Sequence, residues 1–198
     1  MHVTIFDYGA GNMHSLVKAL SGPDVDVRIE PDPTRLTETD ALVLPGVGAF
    51  GIAAARLAPA RERVRAALET GLPCLGICLG MQLLFDDSEE GTGCGLALVR
   101  GSVRRLSAHR VPQMGWNTLD TRSDPLLDVS GLQAAYFANG FVCRPANAEI
   151  VRAWSTHEGD RFPSMIRVGR TVGVQFHPEK SSRAGVAFAR AFLEEVRA

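Results

Sequence analysis

A chain of 198 residues with 45% apolar and 22% charged side chains has the balance of a soluble globular fold with one full core, which excludes collagen-like, disordered and membrane-spanning classes. Its 21 basic and 22 acidic side chains leave a net charge of −1, so no global field recruits nucleic acid or an anionic membrane surface. Cys74, Cys78, Cys94 and Cys143 lack zinc-ligand spacing, and Met1–Phe6 is a short apolar run ended by Asp7 without a basic n-region or cleavage site, so free thiols in a cytoplasmic protein are the expectation.

Val3–Phe6 predicts a buried strand, followed by Gly9 and Gly11 and a helix from about Asn12 to Leu20. Val25–Ile29 predicts a second strand, and Ala41–Leu44 a third that runs into the Pro45–Gly51 turn. One long Ala/Arg/Leu helix is expected over Ile52–Thr70, stopped by Gly71. Pro73–Ile77 gives a fourth strand, with Leu79–Phe85 helical after it. The second half changes texture. Leu96–Leu106, Ala134–Phe137, Glu149–Trp154, Ser164–Val168 and Thr171–Phe176 read as strands with few helices between them. Ser182 is expected to cap a last helix whose Val186, Phe188, Ala191, Phe192 and Val196 form an apolar face. No linker, repeat or low-complexity segment divides the chain, so residues 1–198 are expected as a single domain: α/β, a doubly wound, mostly parallel sheet with an antiparallel extension in the second half.

Gly76-Ile77-Cys78-Leu79-Gly80 is the sharpest local signal. A G-x-nucleophile-x-G segment between a strand and a helix is a nucleophile elbow, whose small flanking residues let a strained turn present the side chain at the carboxyl edge of the sheet. The free N–H groups and positive dipole end of the following helix favour a thiolate there. Cys74, on the preceding strand, reads as structural. Phe176-His177-Pro178-Glu179 supplies a base and an orienting acid, because positions two apart in an extended segment face the same way and Pro178 biases His177 toward that conformation. An isolated H-P-E reads as a strand-end cap; beside an elbow it reads as the rest of a triad. His2, His14, His109 and His157 have no comparable neighbour and read as surface or packing residues.

Donors for an oxyanion are expected from the amide of Leu79 and from Gly46, Val47 and Gly48 at the carboxyl end of the third strand. Gly46–Gly51 also satisfies G-x-G-x-x-G. It follows the third strand rather than the first, and the residues about twenty further on lie in a helix, so the dinucleotide reading is rejected.

Gly76–Gly80 extended by Met81-Gln82, together with Phe176–Glu179, resembles the class I (triad) glutamine amidotransferases. Within them, Asp7-Tyr8-Gly9-Ala10-Gly11-Asn12, Pro45–Phe50, Pro112-Gln113-Met114-Gly115-Trp116-Asn117 and Glu179-Lys180-Ser181 are similar to the glutaminase subunits of imidazole glycerol phosphate synthases. These matches run in order from residue 7 to residue 181. The resemblance implies a flavodoxin-like core, with Cys78, His177 and Glu179 hydrolysing glutamine to glutamate and ammonia through a γ-glutamyl thioester, and no cofactor or metal. It implies that Gln82 and Glu90 recognise the glutamine head group, with Gly140 and Phe141 also contacting substrate. The acidic character of Glu90 agrees, since it can meet an α-ammonium; Asp86, Asp87 and Glu89 read as a solvated loop run. The resemblance further implies a heterodimer with a (β/α)8-barrel cyclase that joins the ammonia to a phosphoribulosyl formimino ribonucleotide in histidine biosynthesis. Asn12, Gln113, Met114, Trp116, Asn117 and Lys180 match the face toward that barrel.

One stretch departs from the family pattern. Asn139 stands where a histidine is usual, Gly140 where a small hydroxyl residue is, and Phe141 where a tyrosine is; Gln113 also replaces a frequent histidine. A glutaminase of another pathway, a cysteine peptidase and a catalytically silent binding module remain as alternatives. The 114–117 and 179–181 segments speak against the first and the peptidase leaves Gln82 unexplained. The complete Cys-His-Glu set speaks against the third.

Overall fold

The computed structural model describes residues 1–9 and 13–198. Its first half alternates strand and helix: β1 (His2–Phe6), α1 (His14–Leu20), β2 (Asp26–Glu30), β3 (Ala41–Leu44), α2 (Phe50–Leu57), α3 (Arg61–Glu69), β4 (Cys74–Ile77) and the short α4 (Leu79–Gln82). The second half is mostly strand: β5 (Asp87–Ser88), β6 (Gly101–Arg105), β7 (Gln113–Thr118), β8 (Asp120–Thr121), α5 (Pro125–Ser130), β9 (Ala134–Asn139), β10 (Phe141–Pro145), β11 (Val151–His157), β12 (Asp160–Val168), β13 (Thr171–Val174) and α6 (Ser182–Arg197).

The main sheet has the order β2-β1-β3-β4-β13-β12-β11-β8. The strands from β2 to β13 pair in parallel, in the flavodoxin-like order, and β12, β11 and β8 extend the sheet antiparallel. β3, β4 and β13 are buried along their whole length, as strands covered on both faces must be. Alternate side chains feed two cores. Val3, Ile5, Val43, Leu75 and Ile77 meet Leu16 and Leu20 of α1 and Phe188 and Phe192 of α6, while Phe6, Leu42, Leu44 and Cys74 meet Phe50, Leu57, Val64 and Leu68 of α2 and α3. Two smaller sheets, β10-β6-β5 and the β7–β9 ribbon, stand beside the carboxyl edge.

The expected fold class holds, and several element bounds are corrected. The long helix is two, because Pro59 has no N–H to continue the ladder; a 3₁₀ turn over Ala58–Ala60 separates α2 from α3. The helix after the elbow ends at Gln82 instead of Phe85. The carbonyls of Leu83, Leu84 and Phe85 accept from the amides of Leu96, Val99 and Ala97, so they are bonded across to another segment instead of along a helix. The same bonds hold residues 96–99 outside the sheet, which shortens the expected Leu96–Leu106 strand to β6. Ser182 does not cap α6. It is the first helical residue, at φ +61°, and Ser181 occupies the cap position without a side-chain capping bond. The helix α5 went unpredicted although its signals are present: Asp124 accepts from the Leu126 amide, Pro125 opens the helix and Gly131 closes it at φ +62°.

Candidate active site

The parallel register decides what meets at the carboxyl edge. Leu44 pairs with Gly76, and Val174 with Ile77, so the segments after β3, β4 and β13 emerge side by side. The Cys78 amide donates to the Val174 carbonyl at 2.6 Å, locking the elbow to β13. Cys78 sits at φ +48°, ψ −103°, a conformation that costs a non-glycine residue about 1–3 kcal/mol and marks the predicted elbow. Both flanking glycines are required. A Cβ on Gly76 would lie 2.7 Å from the Gly80 carbonyl oxygen, and one on Gly80 would lie 1.9 Å from that of Leu44.

His177 leaves β13 in an extended conformation, and its Nδ1 lies 2.8 Å from Glu179 Oε1; both side chains are buried. The pairing is as expected, but its route is not alternation along an extended segment. Pro178–Lys180 form a 3₁₀ turn, closed by the Lys180 amide on the His177 carbonyl at 3.0 Å, and this turn brings Glu179 back to the ring. The Ser181 hydroxyl donates to the same carbonyl at 2.6 Å and accepts from the Tyr136 amide, tying the turn to β9. Burial alone lowers the His177 pKa; hydrogen bonds to the Cys78 thiol and to Glu179 outweigh it and raise the value to about 9. Cys74 and Cys143 are fully buried, and burial raises their thiol pKa values far above the ordinary one.

The segment after β3 lies against this line of side chains. A Cβ on Gly46 would come within 2.8 Å of His177 Cε1 and 3.1 Å of Cys78 Cβ, so main chain alone fits there. Gly48 sits at φ +124°, where a side chain would be strained, and a Cβ there would meet Leu79 Cδ2 at 3.4 Å and the Tyr8 ring at 3.7 Å. Tyr8 is buried, and its hydroxyl donates to the Pro45 carbonyl, pinning the start of the segment. Burial, reinforced by the charges of Cys78 and Asp7, raises its pKa well above the phenol value, so it remains a donor. Sequence reasoning gave Tyr8 no individual role.

A cleft of about 240 Å³ brings together Gly46, Val47, Gly48, Cys78, Leu79, Gln82, Glu90, Gly140, His177 and Lys180, with Ala138 and Asn139 at its wall. A larger groove of about 1000 Å³ runs between α1 and α6 and holds none of the nucleophile's surroundings except the outer side of Glu179 and Lys180. Gln82 is buried, and its Nε2 donates to the Phe141 carbonyl at 3.2 Å and to Gln175 Oε1 at 3.3 Å. Glu90 is held by the Phe50 amide at the start of α2, 2.9 Å from its Oε2. Asp87 and Glu89 are exposed, as a solvated run would be, and Asp86 is half-buried; all three are also tethered, since Asp86 accepts from the Gly101 amide, Asp87 pairs with Arg104, and Glu89 accepts from the Arg105 amide, which fastens the loop to β6. Phe141 does not line the cleft. Its ring packs toward the α2–α3 core, and its carbonyl accepts from Gln82 and Asn139. The Gly140 carbonyl accepts from the Leu106 amide.

The residues matched to a partner face separate into three groups. Met114 and Trp116 are 63% and 58% exposed on one side of β7 and lie opposite Ala138 and Tyr136 of β9, so the two strands share an outward apolar face that ends at the cleft wall. Gln113 is buried, and Asn117 donates to the Thr156 carbonyl at 2.9 Å. The Lys180 ammonium stands 6.0 Å from the Tyr136 ring centre. Asn12 lies outside the described residues. Sequence reasoning also missed Gln175, whose Nε2 donates to Cys78 Sγ at 3.4 Å; its position two residues before His177 was the available signal.

Among the described residues no group of His, Cys, Asp and Glu is arranged to hold a metal ion, and no helix is long and apolar enough to cross a membrane. Solved structures share the fold: one described as a glutamine amidotransferase superposes with a TM-score of 0.76 over 99% of both chains at 22% identity. A glutamine amidotransferase from Thermotoga maritima gives 0.64 over 100% of this chain and 84% of its own, at 21% identity. Sequence relatives are much nearer. Imidazole glycerol phosphate synthase subunit HisH of Thermus thermophilus is 42% identical over 98% of this chain and 99% of its own length, and that of Methanothermobacter thermautotrophicus 40% over 99% and 100%. Residues 4–196 match the family described as glutamine amidotransferase class-I. With a family match over residues 4–196 and relatives of this identity over nearly their full length, beside an elbow cysteine and a paired histidine and glutamate on the expected sheet edge, the chain belongs to the class-I glutamine amidotransferases, in the family of imidazole glycerol phosphate synthase subunit HisH.

Proposed function

We propose that the protein is the ammonia-producing subunit of an imidazole glycerol phosphate synthase of histidine biosynthesis, acting through Cys78, His177 and Glu179. The observation that carries this reading is the buried line from Cys78 through His177 to Glu179, flanked by main chain that no side chain interrupts at Gly46. The Cys78 thiolate attacks the side-chain carboxamide carbon of glutamine. The resulting oxyanion is received by the Leu79 amide and by the 46–48 main chain, where one such donor is worth about 3 kcal/mol. The tetrahedral intermediate expels ammonia as the His177 imidazolium protonates the departing nitrogen, leaving a thioester. Water then attacks with His177 as base, releasing glutamate and restoring the thiolate. Gln82 and Glu90 hold the amino-acid end of the substrate.

The partner is a (β/α)8-barrel cyclase that consumes the ammonia. Two features support its docking at the β7–β9 face: Met114 and Trp116 are large exposed apolar side chains, and the face they share with Tyr136 and Ala138 runs into the cleft. Lys180 adds a charge at the rim. The deciding experiment compares glutamine-dependent and ammonia-dependent synthesis by the complex carrying Cys78→Ala. Loss of the first with retention of the second is expected. Loss of both would overturn the division of labour, and retention of both would remove Cys78 from the chemistry.

A further inference from the structure

Gln175 is fully buried immediately after β13, and a buried carboxamide needs partners of the right sense for both its ends. Its neighbours fix that sense. The Phe141 carbonyl oxygen only accepts, so the Gln82 atom 3.2 Å from it is the NH₂ group. The same NH₂ faces Gln175 at 3.3 Å, and it therefore meets the Gln175 oxygen. Gln175 is left with its own NH₂ toward Cys78 Sγ, at 3.4 Å. Donation thus runs outward from the Gln82 NH₂, on one side to the Phe141 carbonyl and on the other through Gln175 to the Cys78 sulfur. Gln82, with its NH₂ occupied twice inside the protein, has only its oxygen to offer the cleft it lines.

We propose that Gln175 is a positioning residue of this site: it donates a hydrogen bond to the nucleophilic sulfur independently of His177, and it holds the Gln82 carboxamide with its oxygen toward the cleft, as an acceptor for a substrate ammonium. The inference rests on the glutaminase reading for its substrate half and on geometry alone for its sulfur half. A thiolate that accepts an amide N–H is favoured before attack and again as the leaving group when the thioester hydrolyses. Gln82 with its carboxamide reversed would present NH₂ to an α-ammonium and repel it. One buried side chain thus sets both the nucleophile and the polarity of the recognition group.

The test uses two near-isosteric variants of the full chain. Gln175→Met removes both polar ends, whereas Gln175→Glu keeps an acceptor for Gln82 and turns a negative oxygen toward the sulfur. Both are made with Cys94→Ser, because Cys94 is the exposed thiol, while Cys74 and Cys143 are buried. The first readout is the rate of Cys78 alkylation by iodoacetamide against pH. The titratable groups around the sulfur, His177, Tyr8 and Cys143, are kept in both variants, and Gln175→Glu alone adds a carboxyl to them. The midpoint is expected to rise by about one pH unit in Gln175→Met, the effect of losing a hydrogen bond to a charged group, and further in Gln175→Glu. The second readout is the complex at steady state: KM for glutamine should rise about tenfold in Gln175→Met, with ammonia-dependent synthesis unchanged. Folded variants with an unmoved alkylation profile and KM would make Gln175 a packing residue and overturn the proposal. If neither variant folds, the side-chain amide resonance of Gln175 decides: it should shift between the wild type and Cys78→Ala, and a stationary resonance overturns the proposal. A shifted alkylation profile in a chain whose wild type hydrolyses no glutamine in complex would sink the glutaminase reading and leave the sulfur contact standing.

Discussion

On one side of the cleft a methyl group added to Gly80 would lie 1.9 Å from the Leu44 carbonyl oxygen; on the other, one added to Gly140 would meet nothing nearer than Val111 Cγ1 at 3.5 Å. The parallel half builds the reactive wall from main chain in contact with main chain. Gly46, Gly76 and Gly80 are there because a Cβ would displace His177 and Cys78, the main chain of Gly80, or the main chain of Leu44, respectively. The antiparallel half builds the facing wall from a ribbon whose outward side chains touch little. Of the departures from the family pattern, Asn139 and Gly140 fall on this second wall, while Phe141 turns its ring toward the α2–α3 core. Asn139 is accommodated by donating to the Phe141 carbonyl at 3.1 Å. The half that carries Cys78 and His177 thus tolerates no change of shape, and the departures at Asn139 and Gly140 lie on the half that does.

The contrast is broken most easily at Gly80. Gly80→Ala forces α4 off β3, and a loss of more than about 4 kcal/mol is expected in urea unfolding. A stable variant would show that the close approach is not required. The His177 region gives the next largest effect, through pH. Its folded pKa of about 9 exceeds the ordinary 6.5, so the stability contributed by its charged form is complete below about pH 6.5 and is lost as pH rises through 9. The melting temperature of His177→Asn should therefore fall furthest below wild type near pH 6 and approach it by pH 10. A difference constant in pH would mean that the ring carries no charge at rest. On the facing half, Trp116→Ala should leave melting unchanged while weakening association with the cyclase at least about tenfold, read by titration calorimetry. Unaltered affinity would move the docking face elsewhere. Gly140→Ser should do least: stability within about 0.5 kcal/mol and KM for glutamine within about twofold, because the site has room and its carbonyl already serves Leu106. A large gain in affinity would show that the missing hydroxyl had been a substrate contact.

The reactive wall was also the legible one. Gly76–Gly80 and His177–Glu179 are local patterns, and a parallel sheet of buried strands is the only frame in which both reach one edge. The alternation of strand and helix up to residue 82 could be read for the same reason, since each element there carries its own period and its own glycine or proline stop. What the sequence hid was set by partners distant along the chain. Nothing near Leu83–Phe85 announces that their carbonyls are bonded to residues 96–99, so the helix was drawn too long. Ser182 looks like the cap of the last helix, until Ser181 is found in the cap position with its hydroxyl occupied by the Tyr136 amide and the His177 carbonyl. Gln175 looked like one more residue of a strand. Its role depends on Gln82 and Phe141, which approach it only because β10 and β13 converge on the elbow. Pro59 and the Asp124–Gly131 signals were legible and were passed over, the first within a strongly helical composition, the second within a stretch dominated by strands.

The central strand β13 reaches β4 only after every strand from β5 to β12 has been laid down. During synthesis the thiol therefore leaves the ribosome long before its base exists, and the parallel core has an open edge where β13 belongs. A nascent or prematurely terminated chain lacking β13 has neither His177 nor the strand that closes the sheet. Loss of His177 and loss of the strand that closes the parallel core are therefore the same event, so a chain cut short before β13 keeps neither.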